Sequence, residues 1–172
     1  MNDRNDLNLR KNVGIAVFNR NGHVMVCKRL SEGERRQTFH SWQMPQGGID
    51  PGETAVQAAY RELHEETAIT KDLIEPIAEM EQTVIYTYPP EVMAQHPHRE
   101  FDGQSQSWVA FLFDGDDEDI DLVNCPDPSF DLWEWIPLNE TIKRVVPFKQ
   151  DVYKTVITCF LPLVEKIRNN EL

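Results

Sequence analysis

The segment Gly47–Ile69, GGIDPGETAVQAAYRELHEETAI, constrains the fold of this chain more than any other. Pro51-Gly52-Glu53-Thr54 opens a stretch rich in Ala, Gln, Glu and Leu that predicts a helix running to about Thr67. On a helix advancing about 100° per residue, Glu62, Glu65 and Glu66 share one face across an arc of roughly 100°. Val56, Ala59, Tyr60 and Leu63 project roughly 120° away and predict the side that faces the core. Three like charges so spaced repel one another by a few tenths of a kcal/mol per pair on an isolated helix. Two readings of the acidic face follow. It is either a solvated surface or half of a site. Gly47-Gly48 and Pro51-Gly52, just before the helix, let backbone carbonyls approach the same point. Carboxylates with a backbone oxygen make an all-oxygen site suited to magnesium or manganese. Spacing alone leaves both readings open.

The rest of the chain predicts strands before and after this helix. Asn12–Asn19 and His23–Lys28 are β-rich runs separated by a hairpin turn at Arg20-Asn21-Gly22. Residues 30–40 lack periodicity and predict a surface loop, and Ser41–Asp50 reads as a strand end entering a tight turn. Thr83–Tyr88, Ser107–Phe113 and Leu132–Ile136 predict further strands, and Lys149–Phe160 an amphipathic helix with Val152, Val156 and Phe160 on one face. Pro162 predicts a break or kink, with residues 163–172 as a tail; residues 1–10 are expected to be a flexible arm. This order predicts one α/β domain over residues 1–172, a mixed sheet with a helix on each side. The acidic run Asp114–Asp121 lacks calcium-loop spacing and reads as a solvated hairpin loop, and His96-Pro97-His98 as a surface loop with no third ligand nearby.

Composition narrows the partners. The formal net charge is −12, from 17 basic and 29 acidic side chains, so the field of the whole molecule repels long nucleic acid. No extended nucleic-acid surface is expected, and a phosphorylated ligand would need local positive charge, for which a divalent metal is the obvious source. Cys27, Cys125 and Cys159 are far apart and in no metal-binding spacing, which predicts free thiols in a reducing cytoplasm. No apolar run is long enough to span a membrane, and Met1–Lys11 lacks the apolar core of a secretory signal. A monomer is expected.

The segment resembles the Nudix box. Gly47, Glu53, Arg61, Glu62, Leu63, Glu65, Glu66 and Ile69 fall on its pattern, and Ala68 stands where the family usually has Gly. That Gly sits at a helix C-terminus, where a left-handed residue is common, so Ala68 implies a different helix exit. NVGIAVFNRNGHV, SWQMPQGGIDPGE, GQSQSW, FDLWEW and VPFKQDVY are similar to bacterial RNA pyrophosphohydrolases, and equally to asymmetrical diadenosine tetraphosphate hydrolases. The resemblance implies a Nudix-type α/β/α sandwich around a mixed sheet and a hydrolase of phosphoanhydride bonds that uses Mg²⁺, with Mn²⁺ as a substitute. It implies that Glu62, Glu65 and Glu66 bind metal together with the backbone carbonyl of Gln46, and that Glu53 pairs with Arg61 beside Gly47. Arg29 and Phe148 would flank a nucleobase. Arg10, Ser41, Tyr86, Gln104, Gln106 and Lys149 would line a phosphate groove, although Tyr86 is equally readable as core.

Two departures bear on function. Relatives carry Glu directly before the Phe-Asp that is here Phe130-Asp131, and the resemblance makes that Glu a candidate general base; this chain has Ser129. A hydroxyl is no useful base at neutral pH. RNA pyrophosphohydrolases also usually have lysines where this chain has Ser105 and Ser107. Three functions follow. One is removal of pyrophosphate from 5′-triphosphorylated RNA, with a base from the helix, Asp127 or Asp131. Another is hydrolysis of diadenosine polyphosphates or nucleoside triphosphates. The third is a catalytically weak nucleotide-binding protein.

Overall fold

The computed structural model describes residues 7–30 and 42–172. Ser41 and most of the predicted loop before it lie outside them. The strands in chain order are β1 (Leu9–Phe18), β2 (His23–Arg29), β3 (Trp42–Gln43) and β4 (Gln46–Gly48). Helix α1 (Ala55–Thr67) follows, then β5 (Ile74–Glu79), β6 (Val84–Thr87), α2 (Pro90–Gln95), β7 (Gly103–Phe113) and β8 (Phe130–Pro137). A short α3 (Thr141–Arg144) leads into the long α4 (Gln150–Arg168).

Among the described residues the strands form one branched sheet along the path β3-β2-β1-β7-β5, with β4 on β1, β6 on β7 and β8 on β2. Its centre is the parallel pair β1–β7, in register from Leu9↔Gly103 to Phe18↔Leu112; every other pairing is antiparallel. Because side chains alternate across a strand, this pair supplies both faces of the core. Ala16, Phe18, Trp108, Ala110 and Leu112 pack beneath Val152, Val156, Phe160 and Val164 of α4. Val13, Ile15, Val17, Val109, Phe111 and Phe113 pack beneath Ala58, Ala59 and Leu63 of α1. A sheet covered on both sides needs near-continuous apolar strands, which is why β1 and β7 read that way. The expected α/β/α sandwich is what forms.

Several local expectations change. Leu9 and Arg10 are paired residues of β1, not part of an arm. Strand β5 had no sequence signal, because Pro76 and two glutamates interrupt it. It lies at the sheet edge, and the pairing shifts register between Pro76 and Ala78, where the missing N–H of proline is tolerated. Helix α4 runs through Pro162 to Arg168 instead of stopping in a tail. Pro162 and Thr158, whose carbonyl loses its helical partner, are both exposed, while Val164 and Ile167 continue the buried stripe. Burial of that stripe outweighs the lost bond.

Candidate active site

Helix α1 is fixed at both ends. Thr54 caps its start: its hydroxyl accepts the Gln57 N–H at 3.2 Å, and the Gln57 side chain accepts the Thr54 N–H at 2.9 Å. At the other end Ala68 lies in the left-handed region, φ 61°, and its N–H donates to the His64 carbonyl at 2.9 Å. The exit is therefore the left-handed cap itself, held by Ala without the glycine that would adopt it freely; the different exit expected from the sequence is not used.

Arg61 gathers the acidic groups around this helix. It grips Glu53 with two parallel bonds, Nε–Oε1 2.8 Å and Nη2–Oε2 2.7 Å, and donates to the Gly48 carbonyl at 2.9 Å. The expected Glu53–Arg61 pair is present, and it holds the Glu53 carboxyl down at about 2. The other amino group reaches Glu62 Oε1 at 2.7 Å and Glu65 Oε2 at 3.3 Å. Gly47 lies against the Glu62 carboxyl so closely that any side chain there would collide with it, which explains glycine at that position.

Glu66 differs from its neighbours. It is 7% exposed, and its Oε2 is buried with no hydrogen-bond partner. Burial, and then the charge of Glu62, push its carboxyl up to about 8, although Arg29 and the Gln46 backbone favour the ionised form. Burial likewise raises the Glu62 carboxyl. Among the described residues no three acidic, histidine or cysteine side chains already converge on one point, because Arg61 draws Glu62 and Glu65 to itself. The donors nevertheless fit a divalent cation. Glu66 stands beside Glu62 with its buried Oε2 unpartnered and no salt bridge of its own among the described residues, a contact that such an ion would supply.

The other sheet face carries a polar network. Gln106 Nε2 reaches Asn12 Oδ1 at 2.8 Å, Gln46 Oε1 at 3.0 Å and Gln104 Oε1 at 3.2 Å, and Lys149 Nζ donates to the same Gln46 oxygen at 3.1 Å. Lys149 is buried, and desolvation, with Arg29 and Arg99 adding to it, lowers its ammonium to about 7. Gln46 thus turns its side chain to the α4 face, while Gly47 meets Glu62 on the α1 face. The charge of Arg29 acts on both Glu66 and Lys149. Arg10 lies against Gly48, and its charge acts on Glu62.

Tyr86 is buried, and its ring meets Phe148 at 5.8 Å and Tyr88 at 5.7 Å, the contacts that its packing reading expects. Phe148 is half-buried and rests on those two rings. Ser105 and Ser107 alternate with Gln104 and Gln106 and so belong to the α1 face. The lysines missing there would not have joined Lys149. The segment before β8 docks on the end of α1 through Asp121 N–H to Thr67 O at 2.9 Å and Asp127 N–H to Glu65 O at 2.8 Å. The charge of Asp127 acts on Glu66. Sequence reasoning missed Asn12, whose signal was a buried amide beginning an apolar strand run, and Arg99, which gave none.

A model of the NUDIX domain matches residues 8–156. An RNA pyrophosphohydrolase of Erythrobacter litoralis is 40% identical over 94% of this chain and 96% of its own length. One from Caulobacter vibrioides is 41% identical over 88% of this chain and 85% of its own. Among solved structures, a C. elegans Ap4A hydrolase binary complex superposes with a TM-score of 0.60, covering 90% of this chain and 98% of that one. At 19% identity that likeness concerns the fold alone.

Proposed function

The chain belongs to the Nudix family of hydrolases, whose members generally use divalent metal ions, and from that premise we propose that it removes pyrophosphate from 5′-triphosphorylated RNA ends with Mg²⁺, Mn²⁺ serving as a substitute. The observation that carries the metal chemistry is the buried Glu66 carboxyl, its Oε2 without a partner beside Glu62. Glu62, Glu65, Glu66 and the backbone carbonyl of Gln46 would hold the ions. Bound there, divalent ions neutralise polyphosphate charge and lower the pKa of an attacking water.

The chain's own residues do the rest. The Glu53–Arg61 pair fixes the glycine turn against α1. Lys149, Gln104, Gln106, Arg10 and Arg29 orient the phosphates, and a base rests on Phe148 with Arg29 on its other side. Asp127, tied to the helix through its N–H, takes the proton-accepting role that Ser129 cannot fill. The free thiols of Cys27, Cys125 and Cys159 suit a monomer of the reducing cytoplasm. No helix among the described residues is long and apolar enough to cross a membrane.

A substrate panel with Mg²⁺ and with Mn²⁺ tests the reading, comparing triphosphorylated RNA, diadenosine polyphosphates and free nucleoside triphosphates. Pyrophosphate released from RNA ends at the highest kcat/KM is the expected result. A preference for diadenosine tetraphosphate, or tight binding without turnover, would overturn it in favour of the other two functions.

A further inference from the structure

Arg99 takes no part in the chemistry just described, yet it is held in place beside it. It lies in the connection from α2 to β7, half-buried, with its guanidinium carbon 4.0 Å over the ring of Tyr88. Tyr88 meets Phe148 edge-on at 6.2 Å, so one aromatic surface runs from Phe148 through Tyr88 and ends on a cation. Lys149 Nζ lies 5.4 Å over the Tyr86 ring that adjoins this surface, and the charges of Arg29 and Arg99 both act on it. Among the described residues Arg99 and Lys149 form no ion pair, while the charge of Arg29 also acts on Glu66. Like charges so close repel one another, and an anion joining them relieves that repulsion. A positively charged groove lined with aromatic rings is how proteins track a single strand.

We propose that Tyr88 and Arg99 form a second nucleotide subsite, which receives the nucleotide following the one that rests on Phe148 and so selects an RNA chain over a free nucleotide. This rests on the RNA-end reading above. The Tyr88 ring holds the guanidinium in one plane, leaving its donor edge for a phosphodiester and its outer face for a base. A nucleoside triphosphate or a diadenosine polyphosphate has no following phosphodiester, so the subsite contributes nothing comparable to either.

Binding separates the cases without requiring turnover. A single-stranded oligoribonucleotide with a 5′-phosphate and, separately, ATP are titrated into the wild type, Arg99→Gln and Arg99→Lys. In Arg99→Gln the preference for the oligonucleotide over ATP should fall about 10-fold, and the slope of log Kd against log salt should shrink by about 0.7, the share of one phosphate contact on a single strand. Arg99→Lys keeps the charge without the planar stack, so it should recover the slope and only part of the affinity. Equal losses on the two ligands, or an unchanged slope, overturn the subsite. Wild type that binds and cleaves triphosphorylated RNA while Arg99→Gln does so equally well overturns the subsite alone. Wild type that prefers ATP overturns both the subsite and the RNA-end reading.

Discussion

Ala68→Gly should stabilise this protein, although it removes a methyl group and adds a glycine. Ala68 is the C-cap of α1 with φ 61° and ψ 2°, a conformation in which the Cβ of an L-residue crowds the backbone. That crowding costs about 1–2 kcal/mol, and glycine escapes it. Against this stands the extra freedom of glycine in the unfolded chain, about 0.4–1 kcal/mol. The methyl is only half-buried, so its loss takes back a few tenths more. The net is a gain of up to about 1 kcal/mol, and for a chain of this length each kcal/mol moves Tm by about 2–4 °C. Thermal unfolding in the presence of a chelator measures it without metal binding shifting the midpoint. Ala68→Val, β-branched in the same conformation, should move Tm the other way. If Ala68→Gly lowers Tm, the left-handed cap is not strained and the reasoning fails.

Two further outcomes concern the acids. Glu66→Gln should cut activity at least about 100-fold, the scale on which support of a metal site matters, while the fold survives. The folded Glu66 carboxyl lies at about 8 against an ordinary 4.5, so the unfolded chain gives up that proton first as pH rises. Its contribution to stability is complete below the lower value and is lost as pH rises towards the higher. Wild type with chelator should therefore lose Tm across that window, and Glu66→Gln should lose less; parallel curves would contradict the burial argument. Asp127→Asn should lower kcat by about 10²-fold or more, as loss of a general base does, with Asp131→Asn far milder. Ser129→Glu should raise kcat in the Asp127→Asn background, and equal effects of the two Asp→Asn changes would remove Asp127 from its role.

Much of the fold was legible because its signals are local. The runs around β1, β2, β6, β7 and β8 are rich in β-branched and aromatic residues, and the turn at Gly22 closes as a hairpin connection, with φ 73° and its N–H on the Asn19 carbonyl at 2.9 Å. What failed were places where a local rule met a tertiary demand. Pro162 reads as a helix end, but the stripe from Val152 to Ile167 has a sheet beneath it. Pro76 reads against a strand, but it sits where the sheet has an edge. Ala68 reads against a left-handed cap, but the chain must turn there to bury Ile69.

The sequence by itself determined α1 and the shared face of its three acids, since helical period and turn chemistry act within a few residues, while the Glu53–Arg61 pair entered only through the family resemblance. Only the tertiary structure decided that Glu66 alone among those acids is deeply buried with an orphaned oxygen, and that Lys149 is stripped of water while Arg29 and Arg99 crowd it. It also decided that Ser105 and Ser107 belong to the face opposite Lys149, and that Tyr88 and Arg99 meet across a helix and a loop. Desolvation and electrostatic potential at a side chain are sums over neighbours brought from distant elements, and no spacing along the chain encodes such a sum.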